Sequence, residues 1–300
     1  MVNRRNFLKN AAIFTCGYCL GNISTNFHNF NILNKNQDNI FFRVSFMITH
    51  HCNLNCAGCD HFSPLAPIYF MPLDIFERDI IQLYKLTKEN PPQITLMGGE
   101  PLLNKNISEY IKIARKYFKT KILVYTNGLL LNDMPDEFWK SCSDYDAEIY
   151  YTHYILHKNF PNLSYAHNQA KKYNVKLTSS PPRYDFYKIE LNNKKINNNK
   201  EVYKTCSEKG SCCVIDNGIL YPCQILAGVK LFFNKFFINN AFLITKKDFI
   251  DIHAIKTQDD ISNFFKKPKN FCKYCNYGTN NIEKLKWRYS KKEIYEWLKA

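Results

Sequence analysis

Apolar and polar positions follow two rhythms along the middle of the chain. Phe41 to Thr49, FFRVSFMIT, is dense in aromatic and branched side chains and predicts a strand. Between Asp74 and Lys88, the residues Ile75, Phe76, Ile80, Leu83, Tyr84 and Leu86 recur near helical spacing, and the run Ile94 to Met97 predicts a second strand. Ile107, Tyr110, Ile111, Ala114 and Phe118 repeat the helical rhythm before a third strand at Lys121 to Thr126. Strand and helix alternate again through Ala147 to Thr152, a helix near Leu163 to Tyr173, and Val175 to Thr178. Five or six such units predict an α/β fold with parallel strands, a partial (β/α)6 barrel left partly open.

The polar stretch NNKKINNNK, residues 192–200, interrupts this pattern and predicts a domain boundary. Past it, the Asn217-Gly218 pair between two apolar runs signals a hairpin. The expected organisation is an N-terminal segment and Asn-rich linker over residues 1–39, a barrel over 40–195, and a small Cys-rich domain ending in a helix over 196–300.

Composition changes this picture little. Apolar content of 45% is ordinary for a globular chain, and 300 residues suit one large domain and a small one. The formal charge of +15 arises from lysines spread along the whole length beside many Asn, Ile, Phe and Tyr. A general bias accounts for that, and nucleic acid is not the expected partner. No stretch is long and apolar enough to predict a membrane span.

The twelve cysteines are more informative, because most fall in short clusters with metal-ligand spacing. Cys52, Cys56 and Cys59 stand at C-x3-C-x2-C, just past the first predicted strand, so one irregular loop can turn three thiolates onto one cluster of iron. A 4Fe-4S cluster has one more iron than this loop has thiolates. The fourth iron is then open to a substrate or cosubstrate. Zinc is the competing reading, with His50, His51 or His61 as a fourth ligand.

The residues beyond the loop favour iron. The second predicted strand leads directly into Gly98, Gly99, Glu100 and Pro101, and the third ends in Thr126, Asn127 and Gly128. A three-cysteine loop after the first strand and a Gly-Gly-Glu-Pro element after the second, in this order over roughly residues 40–180, resemble the radical S-adenosylmethionine (radical SAM) enzymes. The resemblance implies that the open iron chelates SAM through its amino and carboxylate groups. One electron from a low-potential donor such as a flavodoxin or ferredoxin then yields methionine and a 5'-deoxyadenosyl radical that takes hydrogen from a substrate. On the family pattern Glu100 accepts from the SAM amino group, and Gly98, Gly99 and Pro101 shape the backbone around it. Thr126 and Asn127 are candidates for the ribose or carboxylate, or a plain turn. Family members often carry an aromatic residue before the third cysteine. This chain has Gly58 there, with Phe62 or His61 as substitutes. Tyr154, His153 and Tyr184 are candidates to touch substrate or to pack.

Cys206, Gly218 and Cys223 resemble the opening of the SPASM domain, an appendage that holds auxiliary clusters in many of these enzymes. With only Cys272 and Cys275 beyond them, the pattern is similar to the shortened twitch form. That implies a second 4Fe-4S cluster on Cys206, Cys212 or Cys213, Cys223, and one or both of Cys272 and Cys275, with Cys212 matching the interval better; a structural zinc is the alternative. Cys142 stands alone and is expected in a helix interior.

Arg4, Arg5, Asn6, Phe7, Leu8 and Lys9 match the twin-arginine export pattern, with Cys16 and Cys19 in the apolar run behind them. Export competes with a cytoplasmic location, which the need for SAM and a low-potential reductant favours. The substrate class stays open among peptides, sugars and other small molecules. A non-catalytic iron-sulfur or zinc protein and a radical SAM enzyme acting on RNA are the alternative functions.

Overall fold

The computed structural model describes residues 43–210, 213–238, 241–279 and 282–299. The twin-arginine pattern, the linker, Cys16, Cys19 and Cys212 lie outside the described residues. Among the described residues the strands are β1 (Arg43–Thr49), β2 (Gln93–Gly98), β3 (Ile122–Thr126), β4 (Ala147–Tyr151), β5 (Leu177–Ser179), β6 (Asp185–Tyr187), β7 (Cys213–Asp216), β8 (Ile219–Tyr221), β9 (Ile250–Asp251) and β10 (Lys284–Lys286). The helices among them are α1 (Leu73–Thr87), α2 (Ile107–Tyr117), α3 (Asp136–Asp144), α4 (Ser164–Lys172), α5 (Asn199–Thr205), α6 (Gln224–Phe236) and α7 (Gln258–Lys266).

The main sheet runs β5-β4-β3-β2-β1-β7-β8-β9, parallel from β5 through β7, so it is an open α/β sheet and not a closed barrel. Each of β1 to β4 is followed by a helix that carries the chain back, the economical way to join parallel neighbours. The sixth parallel strand is β7. It comes from beyond the polar stretch and pairs with β1, Val44 opposite Cys213, so the sheet continues across the boundary expected from the sequence. The hairpin at Asn217 and Gly218 is present, both residues having positive φ as a two-residue turn requires. At the C-terminal end, the described residues hold a single 3-10 turn, Ile294–Glu296, where a helix was expected.

Burial on both faces explains why β1 reads as a nearly continuous apolar run. Val44, Phe46 and Ile48 enter a core built with α1, α2 and α3. Met47 faces a second core made by α6 and the last third of the chain, where Phe232, Tyr274 and Trp297 are fully buried. Cys142 is buried in α3, as expected.

Candidate active site

All five strands β1 to β5 deliver their C-terminal ends to one side of the sheet, where a cleft opens. Cys52, Cys56 and Cys59 line it together with Gly98, Gly99, Thr126 and Asn127.

The two glycines are required by a close approach of backbones. A Cβ on Gly98 would stand 1.9 Å from the Thr49 carbonyl oxygen, and one on Gly99 would stand 2.0 Å from that of His51. Their absence lets the Gly99 amide donate to Thr49 O and the Glu100 amide donate to His51 O, each at 3.0 Å. The turn after β2 is thereby tied to the root of the cysteine loop.

Glu100 and Pro101 do not line the cleft. The Glu100 carboxylate is fully buried and accepts from Leu102 N at 3.0 Å, Thr126 Oγ1 at 2.6 Å and Asn127 N at 2.7 Å. Burial pushes it up to about 7, against the pull of those donors. It braces the end of β3 against the end of β2. Asn127 passes this on, because its Nδ2 donates to Asn53 Oδ1 at 2.7 Å and to Cys52 Sγ at 3.5 Å.

Within the loop, Asn55 and Gly58 take the left-handed conformation and curl the chain, and Leu54 N donates to Cys52 Sγ at 3.4 Å. Burial pushes the Cys52 thiol up to about 12, with the negative Glu100 adding to it, and raises Cys56 well above the usual thiol range. Buried thiols facing one another ionise only when a cation joins them, which is the condition a metal cluster meets. His50 is occupied elsewhere, bonded to Asp216 at 3.1 Å and stacked on Tyr69, and His51 is held by Thr49 and Tyr69. Only His61 of the three histidines lines the cleft. It pairs with Asp60 at 3.0 Å; burial opposes its charge, but Asp60 and Cys59 outweigh this and push it up to about 10. Among the described residues, Cys59, Asp60 and His61 form the group whose ligand atoms all lie within 4.8 Å. Phe62 turns into the core against Phe232 and Trp297. Tyr154 lines the cleft, while Tyr184 is exposed and His153 packs on Phe160.

The far end of the chain clasps this loop. Trp287 Nε1 donates to Cys56 Sγ at 3.2 Å, Trp297 Nε1 donates to Cys59 O at 2.8 Å, and backbone bonds join Ala57 to Arg288 and Ser290 to Asn55. Leu285 packs so closely that a Cβ on Gly58 would meet it at 3.0 Å, which accounts for the missing aromatic residue there. None of these partners carried a sequence signal. Arg183 and Lys284, which also line the cleft, were missed for the same reason.

Cys206, Cys223, Cys272 and Cys275 line a second pocket. Cys206 ends α5, Cys223 precedes α6, and the other two lie at the 3-10 turn Asn270–Tyr274. Burial pushes Cys206 up to about 11 and Cys272 up to about 12, and raises Cys223 and Cys275 well above the usual thiol range. Cys213 is turned away: it is buried in β7 with its Sγ donating to Arg43 O at 2.9 Å. Glu208 and Tyr277 line both pockets and so form the wall between them.

Comparison with known proteins agrees with this geometry. Over 109 residues the chain is 34% identical to GTP 3',8-cyclase of Helicobacter pylori (strain HPAG1), covering 34% of this chain and 31% of that protein. Over 130 residues it is 28% identical to 7,8-dihydro-6-hydroxymethylpterin dimethyltransferase of Methanocaldococcus jannaschii, covering 42% of this chain and 22% of the relative. The chain thus spans a third or less of the length of these curated relatives. The crystal structure of BtrN in complex with AdoMet and 2-DOIA superposes with a TM-score of 0.53 at 17% identity, over 87% of this chain and 99% of that one, so the two share a fold. Residues 46–154 match the radical SAM superfamily, and with the cysteine loop and the Gly-Gly-Glu-Pro turn meeting inside that span, the chain carries a radical SAM domain.

Proposed function

We propose that this chain is a radical SAM enzyme that holds a 4Fe-4S cluster on Cys52, Cys56 and Cys59 and cleaves SAM reductively to abstract hydrogen from a substrate. The observation that carries this reading is the meeting of the three cysteines, Gly98, Gly99 and Asn127 around one cleft within the matched span. The donor set fits the cluster. Sulfurs that accept from N–H groups, as Cys52 and Cys56 do here, suit iron-bound thiolates.

When bound, the cluster supplies one electron, from a donor such as a flavodoxin or ferredoxin, that splits the SAM sulfur–C5' bond and frees a 5'-deoxyadenosyl radical. The chain's own residues position and enclose. Glu100 fixes Thr126 and Asn127, Asn127 steadies Cys52, and the Trp287 clasp holds Cys56 against an apolar wall of Leu54 and Tyr154 that excludes water. Glu100 acts from behind the site, through the strand end, in place of the direct contact with SAM that the family pattern implies.

The second pocket is read as a twitch-like auxiliary site for a further 4Fe-4S cluster on Cys206, Cys223, Cys272 and Cys275. A structural zinc on the same four cysteines is the alternative. Dependence on SAM and on a low-potential donor supports a cytoplasmic setting; among the described residues no helix is long and apolar enough to cross a membrane. Anaerobic reconstitution, then measurement of 5'-deoxyadenosine from SAM under dithionite, tests the main reading. Its formation supports the enzyme, and a fully iron-loaded chain that leaves SAM intact sinks it.

A further inference from the structure

Arg183 is the unexplained charge of the cleft. It lies just past β5, is only 7% exposed, and lines the cleft, yet its Nε and Nη2 are buried with no hydrogen-bond partner among the described residues. A guanidinium presents a rigid fork of donors, and burying it unpaired is costly, so a position of this kind is built for an anion that arrives. The carboxylates around the cleft are already engaged. Asp60 pairs with His61 at 3.0 Å, Asp185 pairs with Lys284 at 3.5 Å, and Glu208 bonds to Tyr277.

We propose that Arg183 receives an oxyanion of the substrate, so that the substrate carries a carboxylate or a phosphate. This rests on the proposed function, in which the cleft is the substrate site. Position favours the substrate over SAM as the source of the anion. Arg183 lies past β5, at the sheet edge four strands from β1, and shares its wall with Asp185 and Phe186 of β6. The SAM carboxylate, on the proposed function, is taken by the open iron beside the loop after β1. A fork that donates to two oxygens in one plane would fix the anionic end of the substrate and so aim one C–H bond toward the cysteine loop.

The test uses the full chain, anaerobically reconstituted and labelled with 15N-arginine. The chain has seven arginines, so the Nε–H signals are few, and Arg183→Lys identifies the one that matters. Inorganic phosphate and acetate are titrated separately, each with and without saturating SAM. The expected result is a saturable movement of the Arg183 signal by phosphate or by acetate, which tells the two anion classes apart, and the same movement with SAM present. Arg183→Lys should weaken that anion about tenfold, read by titration calorimetry of the unlabelled variant against wild type, while leaving SAM affinity unchanged. No movement with either anion, or competition between SAM and the anion, overturns the proposal; the second outcome would assign the fork to SAM itself. If Arg183→Lys does not fold, the wild-type titration alone decides. Failure of the wild-type chain to bind SAM counts against the proposed function, and the anion titration remains a separate reading.

Discussion

Replacing Gly99 by Ala puts one methyl group where the structure has backbone. The new Cβ would lie 2.0 Å from the His51 oxygen, 2.4 Å from its carbonyl carbon and 2.6 Å from the His50 oxygen. None of these is the end of a flexible side chain, so the turn after β2 and the cysteine loop must separate by an ångström or more. The two 3.0 Å bonds that join them, from the Gly99 and Glu100 amides, then break. Two backbone hydrogen bonds contribute about 2 kcal/mol together, and forced overpacking costs ~1–3 kcal/mol. The stiffer unfolded chain returns ~0.4–1 kcal/mol, leaving a net loss of about 2–5 kcal/mol out of the ~5–15 kcal/mol that holds a domain. Urea denaturation of the cluster-free chain reads this as a lower midpoint at unchanged slope, and iron binding should weaken in parallel. Gly58→Ala is the contrast, because its nearest obstacle is the Leu285 side chain at 3.0 Å, although its φ of +64 adds some strain. A loss below about 1 kcal/mol for Gly99→Ala would refute the argument that this glycine exists for the backbone approach.

Glu100→Gln should flatten the dependence of stability on pH. The folded pKa of about 7 exceeds the usual 4.5, so the native state binds more protons across that window and wild-type stability falls as pH rises through it, by about 3 kcal/mol. Glu208 is shifted in the same direction, so the difference between variant and wild type, not the raw slope, isolates Glu100. Trp287→Phe keeps a ring but removes the donor to Cys56; the cluster's midpoint potential should fall by about 40 mV, equivalent to about 1 kcal/mol, in an EPR-monitored titration, and an unchanged potential would contradict the contact. Replacing Cys206 and Cys223 by Ala should take iron from about eight to about four per chain, with zinc in place of the missing iron pointing to a structural site instead.

The strands and the first cysteine loop were legible because local signals were consistent. FFRVSFMIT could be read as a strand buried on both sides, and the loop, the Gly-Gly-Glu-Pro element and Thr126 to Gly128 sit at consecutive strand ends. The placement of β7 beside β1 was not legible, since a four-residue strand carries no record of its partner. Trp287 and Cys56 are 231 residues apart, and although KLKWRYS alternates polar and apolar residues as a strand does, that pattern does not name the loop it packs on, so the clasp is visible only after folding. Glu100 illustrates a different limit. The motif marked the residue, but its work on Thr126 and Asn127 depends on two strand ends meeting. Arg183, in a Pro-Pro-Arg turn, resembles any loop cation until its burial is known.

The measurement that bears most directly on the central claim compares the wild-type chain with Cys56→Ala, both reconstituted with iron and sulfide, incubated with SAM and dithionite without oxygen, and assayed for 5'-deoxyadenosine by mass spectrometry. Cys56 lies at the centre of the loop, with its sulfur facing the cleft and held by Trp287. The account predicts steady formation of 5'-deoxyadenosine by the wild type, and none by a folded Cys56→Ala chain that retains its helical circular dichroism and the iron of the second site. Equal 5'-deoxyadenosine from both chains, or none from an iron-replete wild type, would contradict it.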